Sequence, residues 1–457
     1  MNRIIIQAIT LSFMIFNIFL SRSYAQDLNG KTWKVGLATA NITPERPMWL
    51  AGYASRTKPS EGSIHPLWAK CILFEDAQGN RSLLLTLEVV GIGSSFSNEV
   101  RQAISKETGA PIENIIINCS HTHSGPVLDH VLTGIYPLDD SNKMVIVEYG
   151  KWLRAALIQL SKQALQDLEP VKLFAKNGVS RVQVNRRSNQ EKDIARLKEL
   201  KGPNDFSVPV FKVETASGKL KAIIFGYACH PTVLSGYQWS GDYAGFAQSE
   251  LEKLYPGAKA LFFQGAGGDQ NPLPRRTLAL AKQYGKSLAA SVERVIEEDM
   301  TALAPKFKSV SANIDLPLTS PPTLGELEKI QKEAGSGYIY EWSSNLIDQY
   351  KSGKPILKSY PNYPIQVWDF AGQKLISLGG EVTIGYAVKL KEEYGEDIFV
   401  MAYSNDVMGY IPTEQVLEEG GYEGDTSQRA YGLPSKWAPG IEGRILTAID
   451  SLMKKIR

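Results

Sequence analysis

Short apolar runs alternate along this chain with longer segments in which apolar residues recur every three or four positions. The short runs, bounded by Gly, Pro, Asn or Asp, predict buried strands, and the longer segments predict amphipathic helices. The predicted strands lie at 33–38, 67–74, 82–90, from 115 onwards, 171–175, 208–213, 219–228, 258–263, within 305–323, in a hairpin over 366–378, and at 398–403. The predicted helices lie at 96–107, 147–168, 243–254 with Asp242 as its cap, 278–298, 327–358 and 443–455.

This alternation predicts an α/β fold, with a mixed central β-sheet flanked by helices in a single large domain. The domain would span 26–457, and 327–363 is a candidate lid or surface insertion. No internal repeat or low-complexity tract is visible in the residue pattern. A chain that is 43% hydrophobic and 21% charged has the composition of a folded globular protein rather than a disordered one.

Residues 1–25 have the pattern of a secretory signal peptide. Arg3 precedes an apolar stretch over 4–20, and Ser23, Tyr24 and Ala25 resemble a cleavage site. A membrane anchor is the less favoured alternative, because the stretch is shorter than the roughly 20 apolar residues that span a bilayer. We therefore expect export, with the mature protein periplasmic or secreted.

The net charge bears on the class of binding partner, and the positions of the cysteines bear on disulfide pairing. The formal net charge is +2, and cleavage would remove Arg3 and Arg22, so the mature chain is neutral and nucleic acid is not an expected partner. Cys71, Cys119 and Cys229 fall in apolar runs and are interpreted as buried thiols. A disulfide between Cys119 and Cys229 is the alternative.

Several apolar strands end in side chains that can bind a cation. In α/β sheets, ligands gather beyond the carboxyl ends of strands, and two imidazoles with a carboxylate are a recognised zinc set. Histidines that serve only the core or a loop are the alternative. The strand-end residues are His121 with His123, His230, Glu381, and either Asp406 or Tyr410.

The ordered set of motifs resembles the neutral ceramidase family, zinc amidases that cleave the N-acyl bond of ceramide. Each motif alone is a weak signal of the family, whereas all of them in this order are a specific one. The motifs are Ala-Thr-Ala-Asn-Ile-Thr-Pro at 38–44, Ala-Gly-Tyr-Ala at 51–54, His-Thr-His-Ser-Gly-Pro at 121–126, His-Pro-Thr at 230–232 and Gly-Asp-Tyr at 241–243.

The resemblance implies one zinc ion per chain and a role for each matched residue. The implied zinc ligands are His121, His230, Glu381 and Tyr410. Arg186 and Tyr422 would donate to the carbonyl oxygen of the substrate, and His123 would orient water or pass a proton to the leaving amine.

The chain departs from the family pattern in two places. Asn271 stands in Gly-Asp-Gln-Asn-Pro, where family members carry a serine. The family's carboxyl-terminal immunoglobulin-like domain has no counterpart in this sequence, so we expect the catalytic domain alone. Both departures concern the substrate more than the metal chemistry.

We therefore predict an exported zinc-dependent amidohydrolase of N-acyl bonds, with ceramide as the first candidate substrate. The alternatives are another N-acyl compound such as an N-acyl sugar, a carboxylic ester, a phosphoester with Asp242 and Asp269 at a second metal, or a non-catalytic binding protein. A lipid substrate implies an apolar groove beside the metal or an exposed apolar lip in transient contact with a membrane surface, and a plain surface helix is the alternative for the lip region. The residues expected to form that lip are Tyr338, Ile339, Tyr340, Trp342, Leu346 and Tyr363.

Overall fold

The computed structural model describes residues 32–456. The strands in this range are β1 Trp33–Asn41, β2 Trp68–Glu75, β3 Arg81–Leu87, β4 Ile115–Cys119, β5 Glu169–Val179, β6 Gln183–Asn185, β7 Ser207–Thr215, β8 Leu220–Tyr227, β9 Lys259–Gln264, β10 Gln270–Pro272, β11 Thr301–Leu303, β12 Phe307–Pro317, β13 Ser359–Phe370, β14 Gln373–Leu378, β15 Glu381–Val382, β16 Phe399–Met401 and β17 Tyr410–Ile411. The α-helices are α1 Ser94–Thr108, α2 Asp140–Gln166, α3 Asp242–Leu254, α4 Leu278–Glu297, α5 Leu324–Ala334, α6 Tyr338–Lys351, α7 Gly385–Tyr394, α8 Glu414–Glu419, α9 Gly421–Gly424 and α10 Ile441–Lys455.

The predicted mixed central sheet is confirmed. Its strands follow the order β4-β3-β2-β1-β5-β7-β8-β9, and β11 adds to β5. The pairs β3–β4 and β8–β9 are parallel, whereas the pairs between them are antiparallel. A second sheet, β12-β13-β14-β16, also ends in a parallel pair.

Alternating side chains pack the two sheets and the helices in layers. In β3, Leu83 and Leu85 pack with α1 and α2, while Leu84 between them packs with the second sheet. In β14, Leu375 faces the large sheet and Ile376 faces α7 and α10. Successive side chains of a strand point to opposite faces, so the apolar runs without alternation belong to strands covered on both sides.

One order of elements occurs three times: three antiparallel strands, a helix, a parallel strand and a second helix. The first set is β1-β2-β3-α1-β4-α2, the second is β5-β7-β8-α3-β9-α4, and the third is β12-β13-β14-α7-β16-α10. The first helix of each set is the crossover that a parallel pair requires. The three sets bring several strand ends to one region.

Asn118 joins the two edges of the large sheet. Its Nδ2 donates to the carbonyl of Ala402 at 2.6 Å, and its Oδ1 accepts from the backbone N–H of Gln264 at 2.8 Å. Gln264 ends β9, Ala402 follows β16, and Asn118 itself lies in β4. The carboxyl ends of these strands therefore meet around one fully buried amide.

Three expectations from the sequence need correction. Helix α2 begins at Asp140 rather than 147, because the Asp139 side chain caps it by accepting from Asn142 N–H. Asp242 is not the cap of α3; it lies at φ 56° and accepts from backbone N–H groups of the preceding loop. The region 327–358 is helical as predicted, but α5 begins earlier, at Leu324, where the Thr323 side chain caps it, and a break separates it from α6.

The structure tests the prediction for the cysteines and part of the prediction for a membrane anchor. Cys71, Cys119 and Cys229 are buried free thiols, so the disulfide alternative is wrong. Helices long and apolar enough to cross a bilayer are absent from residues 32–456. The signal peptide at 1–25 lies outside the described residues and stays a prediction.

Candidate metal centre

His121 and His230 present their Nε2 atoms to the same point. His121 Nδ1 donates to the Val90 carbonyl at 2.5 Å, and His230 Nδ1 donates to the Gly267 carbonyl at 2.7 Å. A carbonyl only accepts, so each Nδ1 carries the proton and each Nε2 offers a lone pair. At Gly267, a Cβ would lie only 2.7 Å from Cys229 N, which explains a glycine in this loop.

The backbone at His121 is strained. Its φ of 63° lies in the left-handed region, which few residues other than glycine adopt. Strain of this kind clusters at functional sites, where the surrounding structure holds it. The turn directs the ring from the end of β4 into the centre of the site.

Glu381 and Tyr410 come from two short paired strands. Glu381 of β15 is the register partner of Tyr410 of β17. Glu381 Oε2 lies 3.1 Å from His121 Nε2 and 2.9 Å from His230 Nε2, and the Tyr410 hydroxyl lies 3.4 Å from His230 Nε2. His123 Nε2 lies 3.2 Å from His121 Nε2.

The histidines and the carboxylate at the centre of the cluster favour a bound cation. Burial, together with the Arg186 charge, lowers the pKa of His230 to about 4, so the ring is neutral at pH 7. Burial acts to raise the pKa of Glu381, but His121 and His230 outweigh it and hold that pKa well below its usual value. With both Nδ1 atoms directed at carbonyls, the two Nε2 atoms and the Glu381 carboxylate oxygen face one another at 2.9–3.1 Å, an arrangement that a shared cation would satisfy.

The cluster fits a metal ion. One ring nitrogen from each of His121, His123 and His230 lies within 4.8 Å of the others. Ligand atoms about 2.0–2.2 Å from a shared zinc ion lie roughly 3–3.5 Å apart, which agrees with the separations above. This buried group can therefore hold a metal ion.

Arg186 connects the metal cluster to the open cleft. Its Nη2 donates to the Tyr410 hydroxyl at 3.0 Å, its Nη1 to Asn271 Oδ1 at 3.3 Å, and its Nε to Glu423 Oε1 at 2.7 Å. Burial acts to lower the Arg186 pKa, but Tyr410 and Glu423 reverse this and raise it well above its usual value. The guanidinium is therefore a fixed positive charge at the cleft floor.

Tyr422 and Asn271 complete the predicted set at the cleft wall. The Tyr422 ring lies 5.4 Å from the Tyr410 ring in an edge-on contact, and partial burial raises the Tyr422 pKa to about 12. The phenol therefore keeps its proton and can donate. Both residues line a cleft of about 770 Å³ together with His123 and Arg186.

Three carboxylates considered from the sequence lie apart from this cluster. Asp406 accepts from the Tyr360 hydroxyl at 2.7 Å, so Tyr410 rather than Asp406 is the residue of this loop that reaches the histidines. Asp242 accepts from Leu234 N–H at 2.8 Å, and Asp269 accepts from Ile384 N–H at 2.8 Å. The last two hold loops in place.

Sequence reasoning missed four residues that support the site. Tyr431 donates to Glu381 Oε1, and the Tyr53 ring contacts the His123 ring at 4.7 Å. Glu423 pairs with both Arg186 and Arg187, and the Tyr403 ring lies 4.6 Å from the His121 ring. Glu423 is next to a predicted residue and Tyr53 lies in a quoted motif, but the other two carry no sequence signal.

Residues 33–279 match the family described as neutral/alkaline non-lysosomal ceramidase, N-terminal. The chain belongs to this family. The matched range includes His121, His123, Arg186, His230 and Asn271. The other predicted site residues follow this range in the chain.

Individual ceramidases are similar to this chain over about half of its length. Neutral ceramidase of Drosophila melanogaster is 25% identical over 252 residues, which are 53% of this chain and 35% of that protein. Neutral ceramidase A of Dictyostelium discoideum is 24% identical over 268 residues, which are 53% of this chain and 36% of that protein. The matches thus span about a third of these relatives.

Two solved structures share the fold over nearly the whole chain. Neutral ceramidase from Pseudomonas aeruginosa superposes with a TM-score of 0.70 at 19% identity, over 93% of this chain and 74% of that one. A ceramidase complexed with C2 gives a TM-score of 0.71 at 18% identity, over 93% and 76%. The fold predicted from sequence is therefore confirmed.

Proposed function

We propose that this protein hydrolyses the N-acyl amide bond of ceramide or a related N-acyl compound, with one zinc ion held by His121, His230, Glu381 and Tyr410. Membership of the ceramidase family supports the reaction class. The names of the Drosophila and Dictyostelium relatives support ceramide as the first candidate substrate.

One observation carries the proposal: lone pairs of His121, His230 and Glu381 converge at 2.9–3.1 Å while both Nδ1 atoms donate elsewhere. Nitrogen and carboxylate oxygen are ligands that zinc accepts readily. Tyr431 donates to the second oxygen of Glu381 and so orients the carboxylate, as residues around metal ligands commonly do. A bound zinc ion would activate water near neutral pH and polarise a carbonyl.

The residues around the cluster suit acyl transfer. Negative charge develops on the carbonyl oxygen when an amide is attacked, and fixed donors in a partly dry site stabilise it. Arg186 and Tyr422 would supply these donors from the cleft side. His123 lines the cleft beside the cluster and would be the general base. Burial and its neighbours His121 and His230 lower its pKa well below the usual value, so the ring is neutral.

The proposal also explains how the leaving amine is released. The proton that His123 accepts would pass to the amine nitrogen as the carbon–nitrogen bond breaks, so that a carboxylic acid and an amine leave the site. Nδ1 of His123 has no hydrogen-bond partner within residues 32–456. Unlike His121 and His230, the ring of His123 is therefore not fixed by a carbonyl at Nδ1.

Metal content and turnover test the proposal together. Purified protein should bind about one zinc per chain, lose hydrolysis of a short-chain ceramide on chelation, and regain it when zinc is returned. His230→Ala should lose both zinc and activity, because it removes one ligand. His65→Ala is the matched control, since His65 is a half-buried histidine bonded to Ser240 rather than to the cluster. Full activity after exhaustive chelation would refute the proposal.

The phosphoester alternative needs a second metal, for which the sequence offered Asp242 and Asp269. Each accepts backbone N–H groups, which fixes its carboxylate in a structural role. Carboxylic esters and N-acyl sugars would meet the same donors as ceramide, so a panel of these substrates separates them by kcat/KM.

A further inference from the structure

We propose that Arg276 binds an anionic group on the amine part of the substrate. This inference rests on the proposed amidase function and adds a preference within its substrate class, for N-acyl compounds whose amine carries a carboxylate, phosphate or similar anion. The argument starts from the charges that line the cleft.

The cleft that opens onto the metal cluster is lined by charged side chains. Among residues 32–456, Leu273 is the only aliphatic residue that lines it. The ionic side chains are Arg186, Arg187, Arg275, Arg276, Glu191, Glu419 and Glu423. A site built only for hydrocarbon chains would be lined mainly by apolar side chains, so this lining favours a substrate with a polar end.

The carboxylates of the lining are already paired. Glu423 binds Arg186 and Arg187, and Glu419 binds Arg187 at 2.8 Å. Glu191 receives two guanidinium nitrogens of Arg275, at 3.1 and 2.6 Å. These pairs neutralise three of the four arginines.

Arg276 is the fourth arginine of the cleft, and it takes part in none of these ion pairs. Within residues 32–456, no carboxylate oxygen lies within 4.0 Å of its guanidinium, which is exposed to the cleft. Its Nη1 donates to the Tyr53 hydroxyl at 3.1 Å, and the guanidinium carbon lies 5.2 Å from the Tyr53 ring centre. A guanidinium held by one phenol keeps its other donors available for a bidentate contact with an oxyanion.

Arg276 is connected through Tyr53 to His123, the residue proposed to pass a proton to the leaving amine. Tyr53, which holds the guanidinium, also contacts the ring of His123 at 4.7 Å. Arg186 and Tyr422, the proposed donors to the carbonyl oxygen, contact Tyr410 instead. The anion would therefore belong to the amine product rather than to the fatty acid.

The region expected to meet lipid buries three of the six residues predicted for its apolar lip. Trp342 and Leu346 are buried against Leu327 of the neighbouring helix, and Tyr363 lies in the core between the second sheet and its helices. Tyr338, Ile339 and Tyr340 are half-buried. Trp342, Leu346 and Tyr363 therefore cannot belong to an apolar lip, whereas the part formed by the half-buried residues stays a prediction.

Matched amides test the proposal. N-lauroylglycine and N-lauroyl phosphoethanolamine carry a carboxylate and a phosphate, while N-lauroylethanolamine has the same acyl chain and no charge. Wild-type protein should cleave at least one anionic amide with a kcat/KM about tenfold above the neutral amide. Whichever anionic amide is preferred identifies the source of the anion.

Substitutions of Arg276 then test whether this side chain causes the preference for anionic amides. Arg276→Gln should reduce the anionic-to-neutral ratio of kcat/KM about tenfold, mainly through KM, and Arg276→Lys should restore part of it. Arg294→Gln, an exposed arginine of α4 outside the cleft, is the control and should keep the wild-type ratio. A wild-type ratio near one, or a ratio unchanged in Arg276→Gln, would overturn this inference alone. Failure to cleave any of the amides or ceramide would overturn the proposed function and this inference with it.

Discussion

Arg186→Lys is the most informative change in the site. Lysine keeps the positive charge but replaces three directed guanidinium contacts, to Tyr410, Asn271 and Glu423, with one compact ammonium. Losing one preorganised oxyanion donor reduces kcat by about 10²–10³-fold, or roughly 2.7–4 kcal/mol of activation free energy. Because Arg186 also donates to Tyr410, a proposed zinc ligand, zinc binding is measured beside kcat, and the expected loss of kcat is the one that remains when the variant is saturated with zinc.

The measurement is kcat on a short-chain ceramide together with zinc stoichiometry for the same preparation. Arg187→Lys is the matched control: it also pairs with Glu423 but makes no hydrogen bond to Tyr410 or Asn271. Loss of the Glu423 contact should lower the free energy of unfolding in both variants by about 1.5–3 kcal/mol, whereas only Arg186→Lys should lose most of its turnover. If Arg186→Lys keeps kcat within about threefold of wild type, Arg186 is not an oxyanion donor.

Three further predictions follow from the same geometry. Metal-free protein should lose stability to urea as the pH falls from about 6.5 to about 4, because burial depresses the folded-state pKa of His230 while the unfolded chain takes up the proton; a flat profile would show that this ring does not stay neutral. Gly52→Ala should cut kcat about 10²-fold or more, since its Cβ would lie 2.3 Å from His123 Cγ, whereas Gly62→Ala has a similar positive φ and open space and should keep activity. Tyr431→Phe should weaken zinc binding about 10–100-fold in a chelator competition, because the site's buried carboxylate loses its phenol donor; unchanged affinity would remove Tyr431 from the support of the metal.

The apolar pattern determined most of the secondary structure. Long buried strands such as β8 and amphipathic helices such as α4 appear within a few residues of their predicted bounds, because burial of a continuous face leaves a periodic trace in the sequence. The short strands β6, β10, β15 and β17 were missed. Two or three residues are too few for any periodicity, and these strands are set by tertiary pairing.

The second sheet was also beyond sequence reasoning. Strands β12 to β14 were recognised in outline, but a strand covered by helices and a strand covered by another sheet have the same apolar pattern. The threefold recurrence of elements leaves no visible repeat in the residues, because each copy is fixed by burial and crossover geometry rather than by particular side chains.

For the candidate site, the sequence by itself determined which residues can carry the chemistry. The strand-end histidines were found from their position, and Glu381, Tyr410, Arg186 and Tyr422 were assigned through resemblance to the ceramidase family. Only the tertiary structure decided that these side chains meet. Asn118 takes part in this convergence by joining strand ends that lie 146 and 284 residues from it in the chain. Long-range contacts of this kind leave no local signal in a single sequence. Tertiary structure also decided that Arg276 stays unpaired while its neighbour Arg275 binds Glu191, since two adjacent arginines look alike until their backbone directions are known.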